Sequence, residues 1–95
     1  MTLEEFKEST KQSAPPSSLS VLLQALWFDA KGNWDTAHEL AQNVESPAGS
    51  WIHAYLHRKE GDLGNASYWY SLAKKPVCSL QLNEEWEEIA AMLLR

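Results

Sequence analysis

Apolar side chains recur every three or four positions along most of this chain, the spacing that places them on one face of an α-helix. No segment shows the sustained alternation of apolar and polar residues that is typical of β-strands. The pattern therefore predicts an all-α fold of about six helices. They cover residues 2–12, 19–31, 34–43, 47–60 and 64–75, followed by a last helix capped by Asn83.

Two of the predicted helices begin with recognisable capping signals. Thr2 is followed three residues later by Glu5, which is the spacing of a capping box in which each side chain bonds a free backbone N–H of the first turn. Ser46 precedes Pro47, and a serine N-cap followed by a first-turn proline is a common helix start. These signals support the predicted boundaries at both positions.

The only linker-like stretch is the proline- and serine-rich segment 13–18, where proline cannot continue a helix. A chain of 95 residues fits one domain. We therefore expect a single helical domain over residues 1–95. Its predicted parts are an N-terminal helix with its linker (1–18), a core of two helical hairpins (19–76), and a crossover with a C-terminal helix (77–95).

The two central hairpins match each other at a fixed spacing along the chain. The matched positions are Ala25 with Ala54, Gly32 with Gly61, Asn33 with Asp62, and Ala37 with Ala66. Glycine supplies the backbone conformation that ends a helix, and Asn or Asp caps the helix that follows. Small alanines let paired helices approach closely. Two matched hairpins of this kind are expected to stack side by side.

Residues 19–76 resemble a tetratricopeptide-type or Sel1-like repeat. The segment 61–66 is similar to that family's turn, and Ala66, Tyr70 and Ala73 match its second helix. The resemblance implies stacked hairpins with a concave binding surface. The chain departs from the family in its shorter period and in having His53 and His57 where the family has Leu and Tyr. Segment 51–70 also resembles a group of short bacterial and fungal proteins, a likeness that implies no activity.

Composition narrows the function classes. The net charge is −5 and the basic residues are scattered, which argues against a nucleic-acid partner. Cys78 is the only cysteine, which excludes an internal disulfide and favours a reducing, cytoplasmic location. No segment approaches the ~20 apolar residues of a membrane span, so no membrane partner is expected. Phosphate loops and nucleotide fingerprints are missing, and no cofactor is predicted.

One histidine pattern could carry metal chemistry. His53, His57 and Glu60 share one helical face in the arrangement H-x3-H-x2-E, to which His38, Asp62 or Cys78 could add a ligand. The alternative is a pair of histidines that hydrogen-bond between helices. A helical wheel places both histidines towards solvent, whereas the repeat resemblance implies that they are buried against a partner helix. A metal is the less favoured prediction.

A second candidate site is aromatic. Trp51, Tyr55 and Arg58 form a stripe on one helix, and Trp27 falls on the narrow polar stripe of the neighbouring helix. Aromatic and arginine side chains are enriched in binding surfaces. We therefore predict exposed aromatic surface here, with Asp29 lying near Arg58. The alternative is that the terminal helices cover the whole stripe.

The leading functional prediction is a non-enzymatic helical interaction module that binds a peptide or a partner protein. One alternative is a small-ligand or metal-binding protein, which could be a hydrolase using His53, His57 and Tyr70. Another alternative is a homodimer built on the aromatic stripe. Cys78 is expected to be an inert thiol, and the acidic segment 84–88 to be a solvated face.

Overall fold

The computed structural model describes residues 1–95 and contains six α-helices and no strand. The helices are α1 (Leu3–Ser9), α2 (Val21–Ala30), α3 (Trp34–Gln42), α4 (Pro47–Lys59), α5 (Leu63–Leu72) and α6 (Leu82–Leu93). The predicted all-α class is confirmed. The first helix ends earlier than predicted, and the N–H groups of residues 10–12 bond carbonyls three residues earlier in place of helical bonds. The Ser9 and Thr10 hydroxyls donate to carbonyls of the last turn.

The capping predictions at α1 and α4 are confirmed, and the one at α6 is wrong. Thr2 and Glu5 bond each other's backbone N–H, and the Ser46 hydroxyl accepts from the N–H of Gly49. Helix α6 instead begins after Gln81, whose N–H donates to the Glu84 carboxylate. This pairing moves the helix start ahead of the predicted cap at Asn83.

The two central hairpins share one turn geometry. Gly32 and Gly61 adopt φ of 82° and 90°, a left-handed conformation that side chains disfavour. In each turn the following residue, Asn33 or Asp62, donates its N–H to a carbonyl five residues earlier, at 2.9 Å. The side chains of these two residues then cap α3 and α5. The matched turn residues therefore perform matched roles.

Helix α4 lies at the centre of the molecule. It contacts α2, α3, α5 and α6, while α1 packs against α6. The start of α4 passes so close to the preceding connection that a Cβ on Gly49 would lie 2.2 Å from the Val44 carbonyl oxygen. The predicted contact between α2 and α4 is present. None of the helices has the length and apolar character needed to cross a lipid bilayer.

Small residues occupy the helix crossings of the core. Ala25, Ala37, Ala54 and Ala66 are all buried, as expected for close approach of paired helices. Larger apolar side chains from α1, α2, α4 and α6 fill the space between the helices. Because four helices surround α4, almost its whole circumference is buried, including positions that look polar in the sequence.

Candidate functional site

Three histidines meet where α3 packs against α4. His53 and His57 lie one turn apart on α4, and His38 comes from α3. The ring centroid of His38 lies 4.4 Å from that of His53 and 5.2 Å from that of His57, and the two α4 rings are 4.8 Å apart. One nitrogen from each ring falls within 4.8 Å of the other two. We call these three residues the His cluster.

Two members of the His cluster are buried, and His38 is half-buried. The side chains of His53 and His57 are buried, with 4% and 6% of their surface exposed. The helical-wheel prediction that both face solvent is therefore wrong, and the alternative of burial is right. The wheel fails because α3 and α5 both pack on α4 and cover the face that would otherwise be polar and solvated.

Two tryptophans wall the His cluster. The Trp69 indole stacks on His53 with centroids 3.8 Å apart, and the Trp34 indole stacks on His38 at 4.8 Å. Trp34 is held in place because its Nε1–H donates to the Leu56 carbonyl at 2.9 Å. Trp34 and His38 are four residues apart on one helix, which is a sequence signal for a shared face. The indoles therefore fix the planes of the imidazoles.

His57 has a partner on each ring nitrogen. Its Nδ1 lies 2.7 Å from the Glu60 carboxylate, and its Nε2 lies 3.4 Å from the Asn65 amide nitrogen. In the tautomer whose Nδ1–H donates to the Glu60 carboxylate, the lone pair of Nε2 faces the Asn65 amide. A carboxylate that orients a histidine in this way is the common second partner of metal-bound imidazoles.

His53 is the least satisfied polar residue of the core. Its Nδ1 is buried and has no hydrogen-bond partner within the protein. Burial, followed by the neighbouring His38 and His57, lowers the pKa of His53 to about 4. Burial also lowers the pKa of His38. Both rings are therefore neutral at pH 7, which is the form in which imidazole binds metals.

A cleft of about 390 Å³ opens beside His53, between the start of α4 and the end of α5. We call it the His53 cleft. Its walls combine apolar and polar side chains in similar numbers, and His53 is the only member of the His cluster among them. The lining residues are Ala41, Gln42, Val44, Glu45, Ser46, Pro47, Gly49, Ser50, His53, Trp69 and Leu72.

The remaining predicted metal ligands divide into two groups. Glu60 and Asp62 form a second set with His57, in which ligand atoms lie within 4.8 Å of one another, but both acids are exposed. Cys78 does not join the His cluster. Burial raises the pKa of its thiol, which keeps it protonated and unreactive.

The prediction of an exposed aromatic stripe is wrong. Trp27, Trp51 and Tyr55 are all buried, with 5% or less of their surface exposed. Helix α1 covers Trp27, whose Nε1–H donates to the Ser9 carbonyl, and α6 covers Trp51. The alternative, cover by the terminal helices, is what the structure has. Binding of a protein or peptide partner and formation of a homodimer stay predictions. The exposed aromatic surface on which both were based is not present.

Arg58 also has a different partner from the predicted one. Its guanidinium donates to Glu85 on α6 at 2.8 Å, not to Asp29. Asp29 instead bonds the Tyr55 hydroxyl at 2.7 Å and pairs with Lys59 at 2.8 Å. Helices α2 and α4 are neighbours as expected. Asp29 on α2 pairs with Lys59, which follows the predicted partner Arg58 on α4.

Glu85 was not recognised in the sequence as a core residue. It was expected on a solvated acidic face, yet its side chain is fully buried and accepts bonds from Arg58, Trp51 and Tyr70. Glu85 lies four residues before Ile89, and this spacing places both side chains on the same, buried face of α6. The spacing could have identified Glu85 as a core residue from the sequence. Tyr70 bonds this carboxylate at 2.5 Å, so it does not serve the His cluster as predicted.

The chemistry of the two polar clusters differs. Every oxygen of the Glu85 carboxylate has a donor, so that network is a closed structural unit. In the His cluster, by contrast, the buried Nδ1 of His53 has no partner and the His53 ring is neutral. This nitrogen is therefore free to bind a ligand. Comparison of the chain with protein-family models, with curated proteins and with solved structures finds no match.

Proposed function

We propose that this protein binds a divalent metal ion of the zinc, copper and nickel class, with zinc as the preferred ion, through His38, His53 and His57. The observation that carries the proposal is the convergence of three imidazole nitrogens within 4.8 Å of one another in a largely buried cluster. Imidazole is a preferred ligand of zinc, copper and nickel, so an all-nitrogen set favours this class of metal over magnesium or calcium.

The spacing of the nitrogens supports the proposal. Tetrahedral zinc with Zn–N bonds of about 2.0–2.1 Å holds its ligand nitrogens about 3.3 Å apart. The nitrogens of the His cluster lie no more than 4.8 Å apart, so metal binding would require the rings to draw closer by up to about 1.5 Å. In the tautomer whose Nδ1–H donates to Glu60, a metal at His57 Nε2 would replace the 3.4 Å contact with the Asn65 amide nitrogen.

The energetic cost of burying His53 also supports a bound metal. A buried polar atom without a partner costs about 1–3 kcal/mol, and His53 Nδ1 is such an atom. Packing alone would be served as well by apolar side chains at this position. A metal ion that takes up the imidazole lone pairs would compensate for the burial of three polar rings.

Thermal unfolding with zinc tests the proposal. Protein first stripped with a chelator should melt at a higher temperature as zinc is added, because a ligand that binds only the folded state stabilises it by about 2.7 kcal/mol at 100 times its Kd. His38→Gln should remove the response. Glu39→Gln, a change at the exposed neighbouring residue of α3, should keep it.

Two results would contradict this proposal. One is a melting temperature that does not change with zinc, copper or nickel. The other is an equal zinc response in His38→Gln and Glu39→Gln, because that would place the metal outside the His cluster.

A further inference from the structure

We propose that the metal held by the His cluster keeps one coordination position open to the His53 cleft, and that this position binds a small monocarboxylate with a compact apolar body. The inference rests on the proposed metal function and names the ligand class of that site. It is carried by the donor set, the cleft and the charges around them.

The donor set leaves a position free. Zinc is usually four-coordinate, and a site with three protein ligands keeps the fourth position for water or a substrate. The His cluster supplies three nitrogens. The nearest acid, Glu60, is engaged with His57 Nδ1 at 2.7 Å and acts on the metal through that ring.

The His53 cleft gives access to this position. Its volume of about 390 Å³ lies within the range of small-molecule sites, and His53 forms part of its wall. Trp69 both stacks on His53 and lines the cleft, so it connects the two features. A ligand in the cleft would therefore contact a metal-bound imidazole and the indole stacked on it.

The walls select the body of the ligand. Val44, Pro47, Trp69 and Leu72 contribute apolar surface to the cleft. Such walls favour an aromatic or short aliphatic group, since apolar contact provides most of the affinity in sites of this kind. The polar side chains that also line the cleft are Gln42, Glu45, Ser46, Ser50 and His53.

The charges select the head group. Three neutral imidazoles leave the full double positive charge on the metal, and such a charge in a water-poor site attracts an anion. Glu45 lies at the cleft, and the chain has a net charge of −5, so anions with several charges are repelled. A single carboxylate satisfies both conditions.

Cobalt-loaded protein provides the test, because the visible spectrum of Co²⁺ reports its ligands directly. Benzoate should change the spectrum with saturation. Benzamide, which has the same shape without the charge, and phosphate should each bind at least about tenfold more weakly. Leu72→Asp adds a negative charge at the cleft and should weaken benzoate about tenfold when both proteins are fully loaded with cobalt.

Leu63→Asp is the matched control, because Leu63 lies on the same helix, is 65% exposed and is not part of the cleft. It should bind benzoate like the parent. Cobalt binding with no spectral response to benzoate would overturn this inference and leave the metal function intact. Equal benzoate affinity in the two variants would overturn the cleft as the site. Failure to bind cobalt would overturn both proposals.

Discussion

At the scale of single residues, His53 shows how the fold changes the chemistry of a side chain. Imidazole is normally half protonated near pH 6.5, but burial among two further histidines lowers the pKa of His53 to about 4. The sequence placed His53 and His57 on one face correctly. It could not decide whether that face was buried, because a helical wheel contains no information on the number of neighbouring helices.

This pKa predicts that acid destabilises the metal-free protein. The unfolded chain binds a proton at His53 near pH 6.5, whereas the folded chain resists it down to about pH 4. The free energy of unfolding should therefore fall as the pH drops through this range, by up to about 1.4 kcal/mol per pH unit. Urea unfolding in chelator at several pH values measures the slope, and His53→Gln should reduce it. An unchanged slope in that variant would contradict the assignment.

Glu85 leads to a prediction at the same scale. Its carboxylate forms the ion pair with the partly buried Arg58 guanidinium, and it also accepts from two aromatic donors. Glu85→Gln removes the charge and should cost about 3 kcal/mol of unfolding free energy, because a buried pair loses one partner. Glu88→Gln, at an exposed position of the same helix, is the control and should change stability by less than about 0.5 kcal/mol. Equal urea midpoints would show that the Glu85 network adds nothing.

At the scale of helices and turns, local signals were sufficient for most boundaries. The capping residues of α1 and α4 and the glycine turns act as their sequence indicates. The start of α6 was misplaced because Gln81 is a weak capping residue, and only its pairing with Glu84 reveals the start. Trp27 was misplaced because its neighbours on the helical wheel are polar while its actual cover, α1, is distant in sequence.

The alanines at the helix crossings provide a prediction at this scale. Ala54 and Ala66 are buried on α4 and α5, the pair of helices with the most extensive contact in the molecule. Ala54→Leu and Ala66→Leu should each overpack the crossing and cost about 1–3 kcal/mol. Ala30→Leu, at an exposed position of α2, should be nearly neutral. Thermal melts compare the three variants. Equal melting temperatures for the three would show that the crossing of α4 and α5 can hold a larger side chain.

At the scale of the whole molecule, stacking of the two hairpins creates the candidate site. His38 and the α4 histidines belong to different hairpins, and they meet because α3 packs on α4. The repeat pattern predicted adjacent hairpins, and the sequence named His38 among the residues that could join the pair. What it could not supply is the position of α1 and α6, which bury the aromatic stripe and leave the His cluster beside an open cleft.

X-ray absorption at the zinc edge identifies the ligands of zinc in protein loaded with one equivalent of the metal. If the His cluster binds zinc, the spectrum should show three imidazole nitrogens at about 2.0–2.1 Å and one further light ligand. His38→Gln should lose one imidazole from this shell. A shell made only of oxygen ligands would instead place the metal on exposed acids such as Glu60 and Asp62, and would contradict the assignment of the His cluster as the binding site.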